Sequence, residues 1–520
     1  MTLNKSAGRL DLSRRRALRT ATAFAATVAA PGAMARPGER PNILWLVSED
    51  NNPFIGAYGD ALAHTPAIDN LAKEGVLYRR AYSTAPVCAP SRFALITGAY
   101  AQSNAPANQM RAVSRLPAGW RTTPEFLRDH GYHCTNNAKT DYNCAIDAAK
   151  IWNRSGTDAH WRQRPSGAPF FAVFNHETTH ESQLFKTTPG RVTPEQVRVP
   201  GYLPDLPEIR ADIASYYNLM ERMDRQIAAR LAELEADGLA DNTIVFYYSD
   251  NGGALPRSKR YCYEEGLRCA LIVRFPPRWA HLAPTKPGGV VEVPISFIDL
   301  PPTVLALAGA AQSPQMQGRP LFPKRAGRAV EYAFGMRNRM DERYDMVRTV
   351  TDGRYRYVRN YMPHRPAGQH QAYAWQAKGY QAWQASHLAG GAPAAQEAFW
   401  NPRPFEELFD LQADQDQLTN LATEPALRAV LKHLRRALDS HMLAVNDNGF
   451  IPEGSSLEGF EASRIAGAYP LAKIMALAAA AGTRNPRQLS RFRADLDDPN
   501  EIIRYWAATG LVILGTSAAS

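Results

Sequence analysis

A chain of 520 residues with 45% hydrophobic and 10% aromatic content has enough material for one large core and at least one smaller one. It carries no apolar run long enough to span a bilayer, and its 21% charged residues are ordinary for a globular protein. The formal net charge of +10 is spread along the chain rather than clustered, which suits small anionic substrates and does not indicate a nucleic-acid partner.

The first 35 residues are of a different character. Ser13-Arg14-Arg15-Arg16 precedes an Ala/Val/Phe stretch from Ala21 to Ala30 and a small-x-small end, Ala33-Met34-Ala35. This order resembles a twin-arginine export signal, which predicts a mature chain starting near Arg36 and a periplasmic location. Lys5, Arg9, Arg14, Arg15, Arg16 and Arg19, opposed only by Asp11, would leave with it and halve the formal charge. Of the five cysteines, Cys134 with Cys144 and Cys262 with Cys269 are near one another in sequence. That spacing leaves disulfides and buried thiols equally open, with Cys88 as the odd residue.

After the leader, Asn42-Ile43-Leu44-Trp45-Leu46-Val47 is an unbroken apolar run ending in Ser48-Glu49-Asp50, which reads as a buried strand delivering carboxylates at its end. Thr65-Pro66 opens a helix closing near Gly75, with Thr65 as its cap. Helices are expected after Cys88 and around Glu125 to Asp129, then a strand at Phe170 to Phe174. From about Ile209 to Asp237, Tyr216, Leu219, Met220, Met223, Ile227, Leu231 and Leu234 recur at three- and four-residue intervals, a packing stripe rather than a cofactor site. Thr243 to Ser249 and Ala270 to Phe275 are further buried strands. Ligands of a parallel α/β sheet sit at the strands' carboxyl ends, where Glu49, Asp50, Asp250 and Asn251 fall.

From about residue 320 shorter strands appear, Met346 to Val350 and Tyr355 to Val358. Residues 363–403, rich in Gln, Ala, Gly, Pro and Trp, read as an extended surface insertion, followed by a helix around Leu427 to Leu443. The last seventy residues are Ala/Leu-rich, and Asp498-Pro499-Asn500 leading into Ile502 to Ala508 resembles the start of a HEAT-type repeat. A single repeat cannot bury its own apolar face, so it either packs on the body or has lost its neighbours. The predicted fold is α/β: a mostly parallel sheet sandwiched by helices, a smaller C-terminal α+β domain, and a short helical tail. The expected boundaries are 1–35 for the signal, 36–320 for the catalytic domain, 321–450 for the smaller domain and 451–520 for the tail.

Between two of these elements stands Cys88-Ala89-Pro90-Ser91-Arg92, followed by Thr97-Gly98. Alone, a cysteine before Pro-Ser is ordinarily a small apolar residue entering a turn. In company with Pro41-Asn42-Ile43-Leu44, Glu49-Asp50, Thr65-Pro66, Ser249-Asp250-Asn251-Gly252-Gly253, Tyr263 to Arg268 and Ser296 to Thr303, it resembles the type I sulfatases of the alkaline phosphatase-like superfamily over roughly residues 41–445. The resemblance implies conversion of Cys88 to formylglycine by a maturation enzyme, and a Ca²⁺ (or Mg²⁺) held by Glu49, Asp50, Asp250, Asn251 and the Cys88-derived group. It also implies that Arg92 holds the aldehyde hydrate, that Lys139 and Lys259 bind sulfate, and that His180 with Lys259 protonates the leaving group. The implied substrate is a sulfated carbohydrate or other organic sulfate. Glu49-Asp50-Asn51-Asn52 and the Met336 to Arg343 segment are similar to the heparan N-sulfatase branch; Arg337, Arg339 and His364 then read either as groups for acidic sugars or, the more usual case for any one of them, as ordinary surface charges.

Two positions depart from the family pattern: Glu49 replaces the usual Asp, and Asp141 stands where a histidine usually assists the hydrate. Three rival readings accompany this one, the last of them a non-catalytic glycan-binding or assembly protein that uses the helical tail with Cys88 unconverted. The first is a phosphodiesterase or phosphonate monoester hydrolase on the same scaffold. The second is a zinc metallopeptidase built on His176-Glu177-Thr178-Thr179-His180, a motif that requires a helix.

Overall fold

The computed structural model describes residues 39–322 and 332–518, so the export signal expected over residues 1–35 lies outside the described residues. β1 (Asn42–Ser48) forms from the first apolar run. It is joined by β2 (Val76–Tyr78), β3 (His133–Asn137), β4 (Arg154–Ser155), β5 (Phe170–His176), β6 (Thr243–Ser249), β7 (Leu271–Arg274) and β8 (Gly289–Val291), in the order β8-β2-β7-β6-β1-β5-β3-β4. Only β7 opposes its neighbours β2 and β6; the other pairings are parallel.

β1 is apolar at consecutive positions because both faces of the sheet are covered. Ile43, Trp45 and Val47 face a core with Phe246, Leu300 and Val304, while Leu44 and Leu46 face another with Tyr247, Leu219 and Met223. Trp45 meets Phe171 and Tyr248 edge to face at centroid distances of 5.0 and 5.3 Å, a favourable arrangement for aromatic quadrupoles.

The helices are α1 (Pro66–Glu74), α2 (Cys88–Thr97), α3 (Thr123–Asp129), α4 (Pro207–Ala236) and α5 (Leu300–Leu307). The expected cap of α1 is corrected: the Thr65 side chain makes no capping bond. It accepts from Gly56 N–H instead, and the first amides of α1, Ala67 and Ile68, donate to Asp224 of α4 at 3.1 and 2.9 Å. A distant carboxylate thus satisfies orphan donors that a local hydroxyl would otherwise take. α2 ends at Gly98, whose φ of 73° lets its N–H close on Ala94 O at 2.9 Å, a left-handed cap that glycine adopts without a Cβ clash.

Residues 363–403 are not a surface insertion. They fold α6 (Lys378–Ala389) against α4, burying Trp375, Tyr380, Trp383 and Phe399 in the same core as Leu219 and Met220. Trp383 stacks on Phe399 at 4.2 Å and Trp375 on Tyr380 at 4.5 Å. The Gln, Gly and Ala residues between these aromatics dilute the apolar content without reducing the area the rings bury.

β9 (Ala333–Arg337), β10 (Val347–Thr351), β11 (Tyr355–Asn360) and β12 (Glu406–Asp410) form an antiparallel sheet in that order. α7 (Arg428–Ala444) buries Leu431, Leu434, Leu438 and Met442 on it, at helical spacing. The tail folds α8 (Leu471–Gly482), α9 (Leu489–Asp495) and α10 (Glu501–Leu514) and packs on the body. Trp506 is fully buried with Tyr361 and Phe450, and its Nε1 donates to Phe450 O at 2.9 Å. The described residues fall within one compact unit. All five cysteines are free thiols. Among the described residues, no helix is long and apolar enough to cross a membrane.

Candidate active site

Parallel pairing in register sets the geometry. Ser48 of β1 faces Ser249 of β6 and His176 of β5, so Glu49-Asp50, Asp250-Asn251 and the segment leading to His180 leave adjacent strands at the same edge. Lys139 leaves from β3, next to β5. Asp50 turns with φ of 48°, a left-handed conformation that aspartate tolerates better than most residues. Its N–H donates to Asp250 Oδ1 at 3.3 Å.

α2 brings the last components. Cys88 occupies its first turn with Sγ 3.7 Å from Asp50 Oδ1. One turn on, Arg92 Nε donates to Asp250 Oδ2 at 2.9 Å, Nη2 to Glu49 Oε1 at 3.0 Å, and Nη1 to Asn175 Oδ1 at 2.8 Å. Lys139 Nζ donates to Glu49 Oε2 at 2.8 Å, and Lys259 Nζ to Asp50 Oδ2 at 2.6 Å. His180 Nε2 lies 4.0 Å from the same oxygen, while its Nδ1 meets Ser182 Oγ at 2.9 Å. The nine residues named from the sequence as catalytic groups or metal ligands therefore converge.

The charges tune one another. Burial pushes the Glu49 carboxyl up to about 7, with Arg92 and Lys139 opposing the rise. Burial works against the Asp50 charge too, yet the Lys259 ammonium and His180 hold its carboxyl below the usual range. Burial lowers His180 and raises the Cys88 thiol well above its ordinary value, which leaves the unmodified thiol a poor nucleophile.

A hard cation fits these residues. Asn251 Nδ2 is engaged by Asp50 Oδ1 and Gly252 O at 2.9 Å each, but Asn251 Oδ1 is buried without a partner. A lone buried carbonyl oxygen beside buried carboxylates is a donor set for Ca²⁺ or Mg²⁺. Ligand atoms of Asp50, Cys88 and His180 lie within 4.8 Å of one another. The Glu49 oxygens, by contrast, are each held by a cationic side chain.

The metallopeptidase geometry is not formed. His176 ends β5 and Glu177–Thr179 is a 3-10 turn, so the two histidines do not share a helical face. His180 faces Asp50, whereas His176 lines a groove with Leu219 and Gln226. Arg337 and Arg339 are engaged within the protein. Arg337 is buried, 3.3 Å from Asp345 and over the Tyr261 ring at 4.7 Å, and Arg339 pairs with Glu453 at 2.8 Å.

Four contributors escape the sequence: Asn175, Glu181, Arg260 and Asp341. Glu181 and Arg260 adjoin His180 and Lys259, but nothing in their local sequence distinguishes them from surface charges.

Comparison with known proteins identifies the family and the fold. The family profile described as Sulfatase matches residues 41–166 and 159–310. An ulvan-active sulfatase of Formosa agariphila is 36% identical over 467 residues, covering 80% of this chain and 77% of that protein. Human N-sulphoglucosamine sulphohydrolase is 27% identical over 468 residues, covering 76% and 89%. The phosphonate monoester hydrolase of Agrobacterium radiobacter shares the fold, with a TM-score of 0.56 and 16% identity over 78% of this chain and 96% of that one.

Proposed function

The chain belongs to the sulfatase family, and on that premise we propose that it removes sulfate from a sulfated carbohydrate, O-linked or N-linked. Two relatives support the substrate class, one named as active on ulvan and one for N-sulphoglucosamine. The observation that carries the mechanism is the setting of Cys88. It is a buried sulfur 3.7 Å from Asp50, at the head of a helix whose next turn carries Arg92 into the carboxylates.

Formylglycine, made from Cys88 by a maturation enzyme, would supply a hydrate oxygen as nucleophile and an aldehyde that lets sulfate be expelled. A Ca²⁺ or Mg²⁺ held by Glu49, Asp50, Asp250, Asn251 and the modified residue 88 would polarise that oxygen and neutralise sulfate charge. Without it, Glu49, Asp50 and Asp250 face Arg92, Lys139 and Lys259 in equal number; a divalent ion tips the site positive, as an anionic ester requires. Arg92 fixes residue 88 and the strand-end carboxylates with a rigid fork. Lys139 and Lys259 bind sulfate oxygens, and His180 Nε2, its ring held by Ser182, delivers the proton to the leaving group together with Lys259.

The same reading includes export by the twin-arginine route to the periplasm, maturation near Arg36, and division into domains at 36–320 and 321–450 with a tail at 451–520. Amino-terminal sequencing of the exported protein checks the first of these.

The mechanism is tested by mass spectrometry of the Cys88 peptide from active protein, with hydrolysis of matched sulfate and phosphate esters before and after chelation. Formylglycine at residue 88, a preference for sulfate esters and loss of activity on chelation are expected. An intact thiol in active protein would sink the mechanism, and faster phosphonate or phosphodiester cleavage would transfer the protein to the rival hydrolase reading.

A further inference from the structure

Glu181 has no role in the reaction described so far, yet it sits at the centre of a buried chain of charges. Its N–H donates to Asp50 Oδ2 at 2.8 Å, and its Oε1 lies 3.0 Å from Lys259 Nζ. The Arg260 guanidinium donates to both carboxylate oxygens at 2.7 and 2.9 Å, and Arg260 Nε donates to Asp341 Oδ2 at 2.6 Å. Glu181 is 5% exposed, Lys259 2% and Arg260 0%. Charges buried this deeply persist only when paired with good geometry.

The Lys259 ammonium has three donors. Among the described residues its partners are Asp50 and Glu181, which leaves one N–H for a substrate oxygen. The two anchors differ. Asp50 is contested by Asn251 Nδ2, Cys88 Sγ and the Glu181 N–H, and it is a proposed cation ligand as well. Glu181 has no such competitor from the cation. The loop carrying Lys259 also needs holding: Arg257 and Arg260 have φ of 67° and 79°, a left-handed backbone that costs non-glycine residues energy and persists where surroundings enforce it. Arg260 is enforced by Glu181 and Asp341, and Arg257 by the carbonyls of Asp416 and Gln417.

We propose that Glu181 is a positioning residue for sulfate ester hydrolysis: clamped by Arg260 and Asp341, it fixes the Lys259 ammonium so that its remaining N–H meets the substrate. This rests on the proposed role of Lys259 at the sulfate and leaving group. Because Asp341 follows β9, the C-terminal half of the chain sets the position of a reacting group that the catalytic half supplies.

The test compares wild type, Glu181→Gln, Lys259→Ala and the double variant on phenyl sulfate and 4-nitrophenyl sulfate. A group that assists departure matters most when the leaving group is poor. Glu181→Gln is therefore expected to lower kcat about thirtyfold on phenyl sulfate but only about threefold on 4-nitrophenyl sulfate, with KM within about twofold. The double variant should be no slower than Lys259→Ala alone. Equal losses on both esters, or additive losses in the double variant, overturn the proposal. If Glu181→Gln does not fold, Asp341→Asn, which loosens the outer end of the clamp, must show the same leaving-group trend; a flat response overturns it equally. A wild type that cleaves neither aryl ester leaves the carbohydrate sulfatase reading standing, since that reading fails only if carbohydrate sulfates are also refused, and calorimetry with inorganic sulfate then decides the positioning. About tenfold weaker binding in Glu181→Gln sustains it, and unchanged affinity overturns it.

Discussion

Arg92 touches three strand ends at once: Asp250 after β6, Glu49 after β1 and Asn175 in β5. Each bond uses a different nitrogen of the guanidinium, so the planar fork, and not the charge alone, holds the carboxylates in register. Lysine would keep the charge and lose the span. Arg92→Lys is expected to reduce kcat about a hundredfold, the scale of losing one preorganised donor, while the far-ultraviolet circular dichroism stays that of a folded protein. Activity within a few-fold of wild type would mean that charge suffices. The sequence pointed to Arg92 through the resemblance of Cys88-Ala89-Pro90-Ser91-Arg92 to the sulfatase motif, and the helix then sets Cys88 and Arg92 one turn apart. It could not identify Asn175 as a partner, since that bond depends on the pairing of β1 with β5.

At the scale of elements, legibility follows periodicity. β1, β6 and α4 were readable because continuous or helically spaced apolar residues have few alternative explanations, and the observed bounds of β6 coincide with the expected ones. Residues 363–403 were unreadable for the opposite reason: Trp375, Tyr380, Trp383 and Phe399 are spread through polar and small residues, and their burial depends on the face α4 presents. Trp383, 1% exposed and stacked on Phe399, gives the test. Trp383→Ala should destabilise the protein by about 3–5 kcal/mol, as expected for truncating a buried aromatic, measured by chemical denaturation. A change below about 1 kcal/mol would return the segment to the surface.

For the whole molecule, the meeting of the catalytic half with the C-terminal sheet carries its own pH dependence. His441 of α7 stacks on Phe334 of β9 with centroids 3.9 Å apart, and meets Tyr100 edge on at 4.7 Å. Its Nε2 is buried without a partner, and burial holds its pKa down to about 4 from 6.5, with Asp447 opposing and Arg348 reinforcing the shift. The unfolded chain thus binds this proton more readily than the folded one. Its contribution to stability is complete above the unfolded value of 6.5 and is lost as pH falls towards 4, amounting to at most about 3 kcal/mol. His441→Phe keeps an aromatic ring and removes the titration, so its denaturation midpoint should fall less steeply than that of the wild type between these pH values. Parallel slopes would show that other groups govern the interval.

The amino-acid sequence by itself determined the α/β alternation, the carboxylates at strand ends, and the cysteine and arginine one turn apart. These depend on local periodicity and on motifs whose members are close in the chain. Only the tertiary structure decided that Asp224 caps α1, that residues 363–403 build core, and that Glu181, Arg260 and Asp341 stand behind Lys259. Such contacts join residues tens to hundreds of positions apart, and a buried charge looks in sequence like an exposed one: its partner is chosen by the packing of the sheet and not by its neighbours in the chain.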